Sequence, residues 1–380
     1  MYFKQLDLTH FRNYTHARLS DLEAGFVLLT GPNGAGKTNI LEALSLFTAG
    51  KGLRSATLED LCQRHKSGGY EPFALAARMI DDDAAIRKLG TGLDAATGKR
   101  LLRRDGQVVK SLTAFAHDVP CLWLTPQMDR ILTDPPGARR KLLDRFVFTI
   151  DAAHGTRVRT YERLMAERAK ILRQQGNNSR TANWLEAIEL QMAETAVSVC
   201  AGRAAGVDLL NRAAADAKSL QPFPPLGLEL VGEIEDLLAN APALHAEKQL
   251  AVKLQEARAR DASQGGASLG PHKTDMQVFD KARNMPADSC STGEQKALLI
   301  TFILAQARLL AAETGRKPIL LLDEIVTHLD PVRRSALFSY LAQAGGQIWL
   351  TGTETAPYQE LLSQARHHEI MDGRIDGSPV

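Results

Sequence analysis

Apolar and polar residues alternate along the first part of the chain, with the two-residue period of a half-buried strand. The alternation predicts strands over 2–8 and around 18–22, and short alternating segments between turns predict a meander of strands from 73 to 110. Continuous apolar runs instead predict buried strands. These runs cover 25–30, 121–125, 318–324 and 347–352.

Helical spacing dominates the middle of the chain. Apolar residues recur every three or four positions between 138 and about 260, so this stretch is predicted to be mostly helical. One stripe contains Val158, Tyr161, Met165 and Leu172, and the next contains Leu185, Ile188, Met192, Thr195 and Val199. This is the spacing of an antiparallel helix pair, with a turn predicted at 177–179. A helix of about 25 residues is only ~38 Å long, so the insert is a short arm.

The composition is that of a globular protein. Of 380 residues, 44% are hydrophobic and 24% are charged. The net charge of +2 is too balanced to indicate nucleic-acid binding, so any such surface must arise from local clustering. The first residues lack a secretion signal, and no apolar run approaches the ~18 residues of a membrane span, which predicts a cytoplasmic protein with no membrane partner. Four scattered cysteines indicate buried reduced thiols: Cys62, Cys121, Cys200 and Cys290.

The stretch GPNGAGKT matches the whole phosphate-loop pattern G-x-x-x-x-G-K-[ST], between a predicted strand and a predicted helix. Its residues are Gly31, Pro32, Asn33, Gly34, Ala35, Gly36, Lys37 and Thr38. Glycines allow backbone N–H groups to surround phosphate oxygens, and the helix dipole favours the same negative charge. We expect Lys37 to reach the β- and γ-phosphates of ATP and Thr38 to place its hydroxyl on Mg²⁺.

The second motif is acidic: the predicted strand at 318–324 ends in Asp323 and Glu324. Asp323 is expected to hold Mg²⁺, directly or through water, and Glu324 to orient the attacking water. Lys37, Asp323 and Glu324 are therefore the predicted catalytic residues. Asp330 is a candidate for a contact across a subunit boundary.

A polar run, Ser291 to Gln295, precedes a long apolar helix. Alone it is a weak signal, since any helix N-terminus can carry such residues as a cap. Because it follows a phosphate loop and precedes an apolar strand that ends in Asp-Glu, it resembles the signature of ABC-type ATPases. That resemblance implies that Ser291, Gly293 and Gln295 contact the nucleotide of the opposite subunit, so that each subunit holds half of a site.

Further stretches narrow the resemblance. They are LDLTHFRNY at 6–14, NILEAL at 39–44, KGLR at 51–54, PPGARRKLLDRF at 135–146, SLGPHKTDM at 268–276 and LLLDEIVTHLDPVRR at 320–334. In this order they resemble the RecF family of bacterial recombinational-repair ATPases. The resemblance implies an α/β fold, with an ABC-type ATPase head built from both chain ends and an inserted α-helical arm. The predicted domains are 1–137 and 266–380 for the head and 138–265 for the arm.

The chain departs from the family pattern at several positions. RecF proteins commonly have Asp-Asp where this chain has Asp323-Glu324, and a carboxylate where it has His328. Glu294 stands where glutamine is frequent, and 351–353 replaces the switch histidine of transporters. Gln127 resembles the loop glutamine that senses Mg²⁺ in ABC-type sites, although an exposed turn residue is an equal alternative.

The family resemblance implies the activity and the partners. ATP would join two subunits head to head, and slow, DNA-stimulated hydrolysis would release them. The dimer would bind double-stranded DNA and single-/double-strand junctions and act with RecR, RecO and RecA in gap repair, replication restart and the SOS response. Basic residues cluster at Arg100, Arg103 and Arg104, at 139–141, and from 157 to 173. DNA contacts would be made through phosphates, although a solvated helix face also explains the last cluster.

Two other interpretations compete. A transporter's nucleotide-binding subunit would carry its signature roughly a hundred residues after the phosphate loop, whereas most of this chain separates the two motifs. Another SMC-like or nuclease-associated ABC-type ATPase would need a longer arm or an additional nuclease module, and no spare segment is large enough for one.

Overall fold

The computed structural model describes residues 1–48, 50–65, 68–109, 119–174, 176, 180–215, 220–344 and 346–376. They form two compact units. The first unit comprises Met1–Asp129, Leu220–Phe223 and Leu299–Val380, and the second comprises Arg130–Ser219 and Pro224–Leu298. The first unit is thus built from both ends of the chain.

Two six-stranded sheets form the framework of the first unit. Its strands are β1 (Tyr2–Phe11), β2 (Tyr14–Leu19), β3 (Gly25–Thr30), β4 (Gln63–Arg64), β5 (Tyr70–Glu71), β6 (Ala74–Ile80), β7 (Ile86–Leu93), β8 (Arg100–Arg104), β9 (Gln107–Val108), β10 (Cys121–Leu124), β14 (Ile319–Leu322), β15 (Gln347–Gly352), β16 (Ala365–Met371) and β17 (Arg374–Ile375). One sheet is an antiparallel meander in the order β2-β1-β6-β7-β8-β9. The alternating pattern predicted the part of this sheet between 73 and 110 and the strand β1, because one face of each strand is buried, whereas β2 lies a few residues before the strand predicted around 18–22.

The other sheet has the order β10-β14-β15-β3-β16-β17 and is parallel except at β17. Residues 319–322 of β14 are all buried, as is the whole of β15, which accounts for their continuous apolar sequences. The carboxyl ends of β14, β15 and β3 meet at one edge of this sheet, because parallel neighbours point the same way.

Helices of the first unit are α1 (Lys37–Ser45), α2 (Leu58–Leu61), α10 (Pro331–Ala344) and the larger part of α9 (Thr292–Thr314). Helix α1 begins at Lys37, within the phosphate-loop motif. Its apolar residues Ile40, Leu41 and Leu44 join a core shared with Phe3 and Trp349. This core fixes where α1 begins relative to the strands.

The second unit combines helices with one small sheet. Its helices are α3 (Pro136–Ile150), α4 (His154–Gln174), α5 (Ala182–Ala215), α6 (Glu233–Asn240), α7 (Ala243–Glu256) and α8 (Arg258–Gln264), and its strands are β11 (Leu226–Val231), β12 (Asp275–Asp280) and β13 (Met285–Pro286). The predicted stripes on α4 and α5 supply Tyr161, Leu172, Leu185, Ile188 and Met192 to one core. The turn predicted at 177–179 lies outside the described residues.

Strand β11 was not predicted, because it lies within the stretch from 138 to about 260 that was predicted to be mostly helical. It pairs with β12, and the paired residues lie 44 to 54 positions apart in the chain, so the pairing of β11 is not local. The second unit also continues beyond 265 to Leu298, since β12 and β13 belong to it. The domain division at 137 and 265 stays a prediction.

Helix α9 is long and apolar enough, by length and composition, to cross a membrane, which the sequence analysis did not anticipate. However, 72% of its apolar window is buried within the protein. This is the pattern of a core helix in a globular protein. None of the four cysteines forms a disulfide and all four are buried, as predicted.

Candidate functional site

The phosphate loop is shaped by glycines that no other residue could replace without strain. Gly31 has a φ of +143°, and a Cβ there would lie 2.1 Å from the Ile370 carbonyl oxygen. Gly36 has a φ of +120°, and its Cβ would lie 2.6 Å from the Tyr14 hydroxyl. The loop therefore packs against β2 and β16 with no space for side chains at these two positions. Pro32, Asn33 and Gly34 form its exposed tip.

Lys37 folds back across the loop. Its ammonium donates to the carbonyl oxygens of Gly31 at 2.6 Å and Pro32 at 2.9 Å, and the residue is only 5% exposed. Burial lowers the pKa of Lys37, while the carboxylates of Glu324 and Asp323 act in the opposite direction. The loop thus holds a partly desolvated cation beside two acids.

Thr38 and Asp323 meet although they are 285 positions apart in the chain. The Thr38 hydroxyl lies 3.0 Å from each carboxylate oxygen of Asp323. Thr38 lies in the first turn of α1 and Asp323 follows β14, so the parallel sheet brings the two motifs together at its carboxyl edge. The predicted pairing of the phosphate loop with the acidic strand end is therefore present in the fold.

Thr351, at the end of β15, links both acids. Its hydroxyl donates to Asp323 Oδ1 at 2.7 Å and accepts the backbone N–H of Glu324 at 2.9 Å. The Tyr358 hydroxyl donates to the Thr351 carbonyl oxygen at 2.5 Å. Glu324 has a φ of +49°, an unfavourable conformation that its fixed N–H helps to maintain. This role of Thr351 was not predicted from the sequence, where 351–353 is a departure from the transporter pattern. The available signal was a threonine near the end of a buried strand in a chain that also carries Asp-Glu at the end of another.

A polar network behind the loop was also missed. Glu42 on α1 is fully buried and accepts hydrogen bonds from both Arg12 and Arg54. Arg54 also bonds Asn39, which in turn donates to Asn13. Each of these residues lies in one of the stretches that support the family resemblance. The hydrogen-bond network that holds α1 in place explains why these residues occur together in those stretches.

Three other residues noted in the sequence are not among the hydrogen-bond partners of Thr38, Asp323 and Thr351. Gln127 is exposed in the 3-10 turn Pro126–Arg130, where it accepts a bond from Thr125 at 3.3 Å. Asp330 caps α10 by accepting the Arg333 N–H at 2.9 Å. His328 is exposed with a φ of +67°. The structure does not join Gln127 to Thr38 or Asp323 by a hydrogen bond, so its role at Mg²⁺ stays a prediction.

The signature residues lie at the N-terminus of α9, in the second unit. Ser291 is exposed, and its carbonyl accepts the Gln295 N–H at 2.8 Å, so it is the cap residue. The Gln295 side chain is buried and donates to the carbonyls of Ala287 and Cys290, both at 3.0 Å. Gly293 has no atom within 4 Å of the position that a Cβ would take. Ser291 and Gly293 thus face open space, whereas Gln295 supports the preceding turn.

Several arginines of the predicted basic clusters point inward. Arg100 donates to the carbonyls of Leu46 and Gly50 and to Thr91, and burial lowers its pKa to about 10. Arg139 pairs with Asp275, and Arg168 is fully buried against Glu189 and Asp261. Arg103, Lys141, Lys170 and Arg173 are exposed.

The residues present suit a nucleoside triphosphate with Mg²⁺. The glycine-shaped loop, the Lys37 ammonium and the start of α1 all favour phosphate. Among the described residues no group of three or more His, Cys, Asp or Glu side chains could hold a metal alone. A hydroxyl and one carboxylate, as in Thr38 and Asp323, suit Mg²⁺, which takes its remaining ligands from phosphate and water.

Sequence comparison identifies relatives along the whole chain. The family described as "RecF/RecN/SMC N terminal domain" matches residues 2–361. The DNA replication and repair protein RecF of Mesorhizobium japonicum is 41% identical over 376 residues, covering 98% of this chain and 97% of the relative.

Solved structures share the fold. A structure of the recombination mediator protein RecF with ATP in the RecFOR pathway superimposes with a TM-score of 0.85 at 21% identity, covering 100% of this chain and 98% of the other. The Smc head domain from Pyrococcus furiosus, bound to a domain of ScpA, matches with a TM-score of 0.55 at 14% identity and covers 100% and 96%. The architecture is therefore that of an ABC-type ATPase head with an inserted helical arm.

Proposed function

Because this chain belongs to the RecF family, within the wider family of RecF/RecN/SMC N terminal domains, we propose that it binds ATP and Mg²⁺ and couples slow hydrolysis to the binding and release of DNA. The meeting of Thr38 with both carboxylate oxygens of Asp323 carries this proposal. It brings a phosphate-binding loop and a metal-binding acid to one point.

Each residue has a distinct role in the proposed site. The loop from Gly31 to Gly36 surrounds the phosphates with backbone N–H groups, and Lys37 compensates their charge. Thr38 and Asp323 hold Mg²⁺, with Gln127 as an additional ligand. Bound Mg²⁺ neutralises charge that develops on the phosphates. Glu324 accepts a hydrogen bond from the attacking water and orients it, and its backbone is held by Thr351.

The proposed active form is a dimer. Ser291 and Gly293 of one subunit complete the nucleotide site of the other, and Gln295 contributes by holding the turn that precedes them, so two ATP molecules lie at the interface. The exposed Ser291 and the open space beside Gly293 support this role, because both leave the helix N-terminus accessible to an external phosphate. ATP then acts as a switch, since pairing requires the triphosphate and hydrolysis ends it.

The biological role proposed here is recombinational repair in the cytoplasm. The dimer binds double-stranded DNA and single-/double-strand junctions at gaps. With RecR and RecO it promotes RecA loading, and so supports replication restart and the SOS response. DNA stimulates the weak ATPase, because the DNA-bound dimer is the form that hydrolyses ATP.

Sedimentation velocity with ATP and duplex DNA tests this function. The wild-type protein should form dimers with Mg²⁺ and ATP, whereas Lys37→Ala, which removes the loop cation, should remain monomeric at the same ATP concentration. Lys317→Ala, at a residue outside the site, is a matched control and should dimerise. Unaltered ATP-dependent dimers of Lys37→Ala would contradict the site assignment.

A further inference from the structure

The first turn of α9 carries a negative charge that the proposed dimer must accommodate. Glu294 is the third residue of this helix, directly after Gly293 and three positions after the exposed Ser291. A carboxylate is favourable for the helix itself at this position. It would nevertheless repel a triphosphate that approaches the same terminus.

Glu294 also accepts hydrogen bonds from Ser291, the residue that should bind the phosphate. Its Oε2 atom accepts both the backbone N–H and the hydroxyl of Ser291, each at 2.8 Å. A serine hydroxyl has one proton to donate. Ser291 therefore cannot donate to a phosphate oxygen until it releases Glu294.

Arg283 holds the same carboxylate from the other side. Its Nη1 donates to Glu294 Oε1 at 2.6 Å, and its Nε donates to Asp280 Oδ2 at 2.7 Å. Arg283 lies in the turn between β12 and β13, so it connects this turn to the signature helix. The hydrogen bonds from Arg283 and Ser291 lower the pKa of Glu294 to about 2, so the carboxylate is charged at neutral pH and paired.

We infer that Arg283 is a positioning residue of the composite ATP site. It holds and neutralises the Glu294 carboxylate, so that Ser291 can transfer its hydrogen bond from Glu294 to the triphosphate bound by the partner subunit. This inference rests on the proposed function, because it presupposes pairing through the signature helix. Without Arg283, Glu294 would retain Ser291 and repel the ligand.

A purely structural role for Arg283 predicts a different result. If Arg283 only stabilised the β12–β13 turn through Asp280, its loss would weaken ATP-dependent dimerisation by the same factor whatever residue occupied position 294. If Arg283 acts through Glu294, its loss should have no effect once the carboxylate is replaced by an amide. The two roles are separated by combining the substitutions.

Four proteins provide the test: wild type, Arg283→Gln, Glu294→Gln and the double variant. Sedimentation velocity gives the ATP concentration at which half of each protein is dimeric. Arg283→Gln should raise this concentration about tenfold, a typical coupling between linked sites. Glu294→Gln should lower it, and the double variant should match Glu294→Gln. Arg283→Lys keeps the positive charge and should recover part of the loss.

The inference would be overturned, and the proposed function left intact, if Arg283→Gln raised the half-dimer ATP concentration equally in the wild-type protein and in Glu294→Gln. A wild-type protein that stays monomeric at saturating ATP would overturn both. An NMR pH titration without nucleotide provides an independent readout. Arg283→Gln should move the pKa of Glu294 from about 2 toward its ordinary value of about 4.3. An unchanged pKa would also overturn the inference.

Discussion

The Thr351 hydroxyl donates to Asp323 at 2.7 Å. Thr351 is the second-last residue of β15 and Asp323 follows β14, and these two strands are parallel neighbours. The same hydroxyl accepts the N–H of Glu324, so one uncharged side chain orients the metal-binding acid and the backbone of the proposed water-orienting acid. Its position explains how the site is kept in order without the histidine that transporters place after the corresponding strand.

Thr351→Val should therefore damage both stability and turnover. Valine has a similar shape but leaves the Glu324 N–H without its acceptor, which costs about 1–3 kcal/mol in the free energy of unfolding. ATP hydrolysis should fall about tenfold or more, because Asp323 and Glu324 lose their common anchor. Urea unfolding and steady-state ATP turnover measure the two effects.

Thr97→Val is the matched control for Thr351→Val. The Thr97 hydroxyl also donates to a carboxylate, that of Asp94 at 2.7 Å, but in an exposed turn away from the site. Its loss should change stability by less than about 1 kcal/mol and leave turnover unchanged. Wild-type turnover in Thr351→Val would show that the hydroxyl does not organise the acids.

Glu324→Gln should separate binding from hydrolysis. The amide keeps the size of the side chain but cannot accept the water proton, so turnover should fall by about 100-fold or more while ATP still binds. Dimers formed with ATP should then persist in gel filtration, whereas wild-type dimers dissociate as ATP is consumed. Glu313→Gln changes an exposed carboxylate on α9 and should behave as wild type. Normal turnover in Glu324→Gln would exclude Glu324 from its proposed role.

Stability should depend on His368 in mildly acidic solution. The pKa of His368 is lowered to about 4, mainly by burial and to a smaller extent by the nearby charges of Arg366 and His367. The buried Nε2 atom has no hydrogen-bond partner among the described residues. Since the unfolded chain protonates near 6.5 and the folded protein only near 4, stability is complete above about pH 6.5 and is lost as the pH falls toward 4.

His368→Leu should flatten this part of the pH profile. Discounted for partial exposure, the wild-type loss attributable to His368 is about 2 kcal/mol between pH 6.5 and 4. Urea unfolding at several pH values measures it. His16→Leu, at an exposed position of β2, should keep the wild-type slope. An unchanged slope in His368→Leu would assign the pH dependence to other groups.

DNA affinity should fall steeply with salt. Contacts made through phosphates release counterions, so the logarithm of the association constant should decrease linearly with the logarithm of salt concentration, by about tenfold or more between 50 and 200 mM. Fluorescence anisotropy with a labelled duplex gives the slope. Arg100→Gln should lower stability but leave the slope unchanged, because that guanidinium is bound to Leu46, Gly50 and Thr91. Affinity indifferent to salt would contradict phosphate contacts.

Local patterns predicted the elements whose partners lie close in sequence or whose burial is uniform. Strands β3, β14 and β15 follow directly from continuous apolar runs, and the antiparallel meander from alternation. The phosphate loop was recognisable because its backbone conformation requires glycine at fixed positions of the motif. These features depend on period and spacing, which a sequence displays directly.

Features that depend on distant partners could not be predicted in the same way. Strand β11 exists because β12 pairs with it, and the role of Thr351 depends on where β14 and β15 end in space. Arg100 and Arg168 looked like surface charge because sequence does not show the direction of a side chain. Arg168 is instead fully buried and Arg100 partly buried, and both guanidinium groups are bonded to neighbouring protein groups, so both residues stabilise the fold.

Subunit mixing tests the composite site most directly. Lys37→Ala lacks a working phosphate loop and Ser291→Arg lacks a working signature, so each variant alone should be inactive. A mixed dimer contains one complete site, formed by the loop of the second variant and the signature of the first. Neither variant should pair with itself, because its own dimer would contain no complete site, so the dimers that form in an equimolar mixture are mixed. Since each mixed dimer has one of two sites, mixing should restore ATP turnover to at most about half of the wild-type rate. Turnover that stays at the level of the separate variants would contradict a site shared between subunits.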